Sequence, residues 1–357
     1  MKRICLLLVI LFIAASMSIG YAAQLDKFTA KSENIVFDAD ILINGSAALE
    51  NLSILNAKRP SFLNIDSACL TSSDIISQSE SSYEDDGGKI VMRNSAFTGG
   101  AFLFAQNNGR AYFLSQYGEK VHQLISAYRH TLIDEGVLPF CLKKTAFDKA
   151  QEVLDAYGIS TNRDFAQIFA ISANQASMLQ AQYDAMINGD LKKPSARSGD
   201  DKACYFMVFP ISYEGLNVAQ FGYILPNGGR GVDMSAIEVI LSEDGIEYFD
   251  ASNVYQKTSV QQTHNEMISV EAAVETLLDR FQKENMVEPI TIYQIALEYV
   301  ASPTGTGFDE YQLIPCWNFK AIPSEHLVAD NEIDSALAKD YFTTCYCLCA
   351  VNGEWLV

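Results

Sequence analysis

Between Ile290 and Val351 the chain carries three runs long enough to cross a sheet: Ile290 to Ala301, Tyr311 to Ala321 and Tyr341 to Val351. Directly before them, Val270, Val274, Leu277, Leu278 and Phe281 recur at the spacing of one helical face, and Ser269 stands where a helix cap belongs. A helix with one apolar stripe has to bury it, and three consecutive strands offer the surface. The Gly- and Pro-rich stretch Ser302-Pro303-Thr304-Gly305-Thr306-Gly307 joins the first two strands as a turn. The expectation is a helix over 269–285 packed on a three-stranded antiparallel meander, with Trp317 in or beside its core.

The same residues carry a resemblance. The helix, Ile295-Ala296-Leu297-Glu298-Tyr299, Leu313-Ile314-Pro315-Cys316-Trp317 and the run from Tyr346 to Glu354 are similar to the C-terminal part of uncharacterised clostridial secreted proteins and lipoproteins. They also resemble the YycI/YycH regulatory proteins and, more distantly, PepSY-type modules, where a Pro-x-Trp strand precedes a final strand ending in Asn-Ala-x-Thr-Gly-Glu. This chain departs from that ending at Cys349, where Asn is usual, and at Asn352, where Thr is usual. The resemblance covers the last quarter well and Cys204 to His264 loosely. It implies an α+β fold and a regulatory role in the bacterial (Firmicutes) cell envelope, and it assigns no catalytic residue.

The N-terminal stretch fits that compartment. Met1-Lys2-Arg3 is basic, Ile4 to Ile19 apolar, and Gly20-Tyr21-Ala22 a small-x-small cleavage site, so 1–22 reads as a signal peptide. The expected location is secreted or extracytoplasmic, with a retained membrane anchor as the competing reading. The formal net charge is −19, and no Lys/Arg cluster offsets it locally. That balance repels nucleic acid and anionic headgroups. The partners left are an envelope protein or a peptide, no nucleic acid, and a membrane only if the N-terminal segment is retained.

Farther along, Ile35, Phe37, Ala39, Ile41 and Ile43 alternate with polar residues as a half-buried strand does. Phe102 to Ala105 and Ala111 to Leu114 flank Asn107-Asn108-Gly109-Arg110, a hairpin signal. Ser77 to Lys89, polar and acidic, reads as a loop. Helices are expected around Val121 to Leu132, at Ala146 to Tyr157 and from Ser172 to Asn188; Phe165 to Ile171, Cys204 to Ser212, Ala236 to Leu241 and Ile246 to Tyr255 read as strands. Lys192 to Ala203, with Pro194 and Gly199, is the best linker. The fold class expected is therefore α+β, antiparallel sheets with packed helices in two PepSY/YycI-like α-plus-meander units, one in a domain of residues 31–191 and one in 204–357.

No catalytic, cofactor-binding or metal-binding residue is singled out, and no cofactor. There is no Gly-x-Ser-x-Gly. His122 and His130 fall about 80° apart around a helix and more than two turns apart along it, too far to share a zinc ion. Asn227-Gly228-Gly229-Arg230-Gly231 lacks the Lys-Ser/Thr of a phosphate loop and reads as a hairpin tip. Eight cysteines, seven without Cys5, include no Cys-x-x-Cys. Cys345, Cys347 and Cys349 alternate along one strand, so their thiols share a face, first as small buried hydrophobes and otherwise as a thiol or metal-binding row. They cannot pair with each other, and a bridge to Cys316 depends on register. The functional expectation is a non-enzymatic extracytoplasmic binding or regulatory protein; the alternatives are a secreted enzyme or metal binder using that row, and a structural envelope protein.

Overall fold

A computed structural model describes residues 26–32, 34–43, 52–85, 88–188, 202–222, 235–264, 266–284, 288–304, 310–326, 339 and 342–356. The 1–22 leader, the 227–231 tip and most of the 192–203 linker lie outside the described residues.

The meander is present. Helix α4 (Val270–Lys283) opens at Ser269, whose hydroxyl accepts from the Ala272 N–H, and buries Ala273, Val274, Leu277 and Phe281. Strand β15 (Ile290–Pro303) pairs antiparallel with β16 (Tyr311–Pro323), and β16 with β17 (Thr344–Cys349). Trp317 is 1% exposed and its indole N–H donates to the Ile268 carbonyl at 2.8 Å.

The expectation of two α-plus-meander units is overturned by what surrounds those three strands. They belong to a mixed seven-stranded sheet that also takes β1 (Asp26–Ser32), β2 (Ile35–Leu42) and β3 (Leu52–Lys58) from the start of the chain, and β14 (Gln256–His264). Strand β2 runs parallel to β15, with Phe37 beside Ile292 and Ile41 beside Ile295. Strand β3 pairs with β14 along one side and with Tyr311 to Leu313 of β16 on the other. Local periodicity shows that a segment is a strand but carries no information on a partner this distant. The fold is thus mostly β, built on two large sheets.

The second sheet has eight antiparallel strands in the order β4 (Ile75–Asp85), β5 (Gly88–Phe97), β6 (Phe102–Gln106), β7 (Ala111–Leu114), β13 (Gly245–Ser252), β12 (Ala236–Ser242), β9 (Cys204–Val208) and β8 (Gln167–Ile171). A two-residue ladder, β10 (Ser212–Tyr213) with β11 (Leu216–Asn217), stands apart. Of the polar stretch 77–89, expected as a loop, residues 77–85 lie in strand β4 and 88–89 open β5. Paired backbone holds it extended although its side chains bury almost nothing.

One face of the second sheet joins the seven-stranded sheet in a single core, with Leu103, Phe113, Val239, Met207 and Phe249 on one side and Leu55, Ile295, Leu297 and Tyr311 on the other. Helix α2 (Lys143–Ala156) adds Ala146, Ala150, Val153 and Leu154 to it. Helices α1 (Gln116–Tyr128) and α3 (Ala173–Asn188) cover part of the other face, where Val121, Ile125 and Ala176 meet Phe206, Ile240 and Tyr248. Covered on both sides, β9 is buried at every residue. The two sheets are also tied at the β6–β7 turn: Gly109, at φ +78°, donates to the Pro60 carbonyl at 2.8 Å and accepts from the Val254 N–H at 2.9 Å.

Candidate functional site

Helix α1 covers the end of its face from β7 to β12, and strands β4 to β6 have no helix over them among the described residues. The register places two cross-strand rows there. One runs Ala96, Phe102, Leu114, Tyr248, Ile240; the next runs Asn94, Phe104, Tyr112, Asp250, Glu238. Phe104 and Tyr112 stack with centroids 4.9 Å apart, and Phe102 lies 6.1 Å from Tyr112. All three are half-buried, so they form an aromatic platform at the surface that ends against two carboxylates.

The carboxylates differ. Glu238 is held from α1 and the residue that follows it: His122 Nε2 lies 3.0 Å from Glu238 Oε2, and the Arg129 guanidinium donates to Glu238 Oε1 at 3.1 Å. The His122 ring also stacks on Tyr248 at 3.9 Å. Asp250 accepts from the hydroxyls of Ser252 at 2.5 Å and Tyr248 at 3.2 Å. Burial nonetheless pushes its carboxyl above the ordinary aspartate range, with the neighbouring Glu238 charge adding to the effect against the pull of Ser252 and Arg110.

A carboxyl raised on folding favours the folded state while protonated, so its contribution is lost as pH rises through the folded-state pKa. Asp250→Asn should therefore be more stable than the wild type at pH 7, with the gap closing towards pH 4. Urea midpoints at the two pH values check this; a variant less stable at pH 7 than at pH 4, relative to wild type, would show that Asp250 is ionised and satisfied in the fold.

Ser126, His122 and Glu238 bring a hydroxyl, an imidazole and a carboxylate together, but not in a catalytic order. Ser126 Oγ, at 3.4 Å, and Glu238 Oε2 both approach the same His122 nitrogen. A general base needs its orienting acid on the opposite nitrogen, so this ring cannot take a proton from Ser126 while Glu238 holds it. Among the described residues no three His, Cys, Asp or Glu side chains converge as metal ligands.

The cysteine row does share one face, as its alternation implies. On that face Cys349 stands opposite Cys316, Cys347 opposite Asn318 and Cys345 opposite Lys320. It is the face turned away from Trp317, and it also holds Glu298, 2.8 Å from the Asn318 amide nitrogen and 3.8 Å from Lys320 Nζ. Burial pushes the Cys345 thiol up to about 11 and raises Cys316 and Cys347 well above the ordinary thiol range. Nucleophilic work needs the thiolate, which this setting suppresses. The sequence did not single out Glu238, Asp250 or Tyr112. The alternation in β12 and β13 turns both carboxylates to one face, but only the register shows that they are neighbours.

No protein-family model and no curated protein matches the chain. Among solved structures it is similar to an uncharacterised protein from Eubacterium rectale ATCC 33656, at a TM-score of 0.62 and 13% identity, over 91% of each chain. At that identity the likeness shows a shared fold and nothing of function. No helix among the described residues is long and apolar enough to cross a membrane.

Proposed function

We propose that the protein is an extracytoplasmic, non-enzymatic binding or regulatory component, YycI/YycH-like in role, which takes an extended peptide segment of an envelope partner along strand β4. The observation that carries this reading is β4 itself. It ends its sheet, pairs only with β5 among the described residues, and is exposed at every position from Ile75 to Glu84, on both faces. Such an edge presents free N–H and C=O groups that another strand can complete. Its exposed Ile75, Ile76 and Tyr83 supply apolar contacts, and Glu80, Glu84 and the net charge of the chain favour a basic peptide. The open platform of Phe102, Phe104 and Tyr112 lies on the same sheet, two and three strands away. The leader-like 1–22 segment supports the compartment, and the suppressed thiols and the arrangement at His122 support a role without catalysis.

Panning a library of extended basic peptides against the purified protein should select binders that protect β4 amides from hydrogen exchange. Successive strand residues send their N–H groups to opposite sides. Of Ser81→Pro and Ser82→Pro, one therefore removes a donor from the free edge and should weaken binding about tenfold or more, the worth of one or two hydrogen bonds. Binders that ignore both substitutions, or protect another surface, would overturn the proposal.

A further inference from the structure

We propose that Cys316 and Cys349 are a disulfide site, closed by exchange with a small-molecule or protein disulfide as the last strands come together. Their register makes them direct neighbours on β16 and β17. The backbone bonds beside them show which kind of neighbour. The Ala350 N–H donates to the Pro315 carbonyl at 2.8 Å, one step outward, and the Cys349 N–H turns to the Glu354 carbonyl at 2.8 Å. Cys316 and Cys349 thus occupy a position without mutual ladder bonds, where opposed Cα atoms come within roughly 4.5 Å and both side chains project from one face. That lies inside the roughly 4.4–6.8 Å window a disulfide spans.

The other thiols do not meet the same condition. Cys347 is diagonal to Cys316, at roughly 7–8 Å for such neighbours, and hands its S–H to Asn318 Oδ1 at 3.6 Å. Cys345 faces Lys320, and Cys347 and Cys349 point in parallel from one strand. The register therefore selects one pair of the four.

The exchange balances. The Cys349 thiolate attacks one sulfur of the donor disulfide, forming a mixed disulfide and expelling one donor thiolate. The Cys316 thiolate then attacks the Cys349 sulfur, forming the Sγ–Sγ bond and expelling the second donor thiolate. The two protons released by the cysteines end on the two donor thiols, so the protein is oxidised by two electrons and the donor reduced by two. In the structure both cysteines are free and buried, and burial holds the Cys316 thiol protonated, so exchange in the folded protein has no thiolate to start from on that side. Exchange therefore precedes the closing of this face, and the bond once made is shielded from reduction.

Refolding the reduced, denatured full chain in a glutathione redox buffer tests this independently of any binding role. Non-reducing peptide mapping should find Cys316 linked to Cys349, and denaturing alkylation should label six of the eight cysteines, against all eight after refolding in dithiothreitol. Closing the 316–349 loop should raise the thermal midpoint by about 5–10 °C over the reduced protein. Cys349→Ser should abolish that redox-dependent shift and Cys345→Ser should keep it. Eight labelled thiols after oxidative refolding, or a link joining any other pair, would overturn the assignment, and the mapping decides even if a variant fails to fold.

Discussion

Trp317→Ala will lower stability by about 3–5 kcal/mol, the usual loss for deleting a fully buried Trp. The indole fills the space between Leu297 on β15 and Leu348 on β17, its direct cross-strand neighbours, and each of these is fully buried. The substitution opens a cavity where three strands meet and also leaves the Ile268 carbonyl without its donor. That carbonyl stands one residue before the cap of α4, so the helix loses an anchor as well. Trp317→Phe restores most of the volume but not the N–H, and should recover roughly half of the loss. Urea unfolding of the two variants beside the wild type separates packing from hydrogen bonding. An unfolding curve for Trp317→Ala that overlays the wild type would place Trp317 outside the core.

Gly118→Ala should cost on the order of 3 kcal/mol, against the sign that helix propensity alone would give, since Ala exceeds Gly by roughly 1 kcal/mol inside a helix. Gly118 lies in the first turn of α1, and a Cβ there would sit 1.9 Å from the Glu247 carbonyl oxygen and 2.4 Å from its carbon, both backbone atoms of β13. Neither can yield without moving the helix off the sheet. The same contact is fastened by hydrogen bonds: Ser115 Oγ accepts from the Gly118 N–H at 2.9 Å and donates to the Glu247 carboxylate, which also takes the Ser242 hydroxyl at 2.6 Å. Lifting α1 would break this cap and unseat His122 and Arg129 from Glu238. Thermal and urea unfolding check the sign. A variant at least as stable as wild type would mean that α1 is not seated this closely on β13.

The two substitutions probe different levels of what the sequence discloses. Trp317 was legible because helix 270–283 and the strands around it are neighbours in the chain, and their periods of 3.6 and 2 each indicate a buried face. The hairpin at Asn107 to Arg110 was legible for the same reason. The close approach at Gly118 was not, because nothing in residues 115–121 refers to a strand that begins at Gly245. Strand β4 went unread for a different reason. Its Ser, Gln and Glu residues bury nothing, and its extended form depends wholly on β5, so no alternation marks it. The pairing of Glu238 with Asp250 and of Cys316 with Cys349 is a matter of register, which side-chain pattern constrains to one residue in two and no further.

The nesting of one sheet's strands around the other's reaches back to synthesis. Asn56 on β3 hydrogen-bonds Ser259 on β14 across 203 residues of sequence. At roughly 5–20 residues per second of elongation, β1 to β3 wait on the order of 10–40 seconds for the strands that flank them. Long-range pairing of this kind also slows the search itself. Throughout that interval the apolar face of Ile35, Phe37, Ala39 and Ile41 has no sheet to join. A nascent chain in this state is a natural client for holding chaperones and an aggregation hazard without them, and a translation arrest anywhere before Gln256 leaves it there.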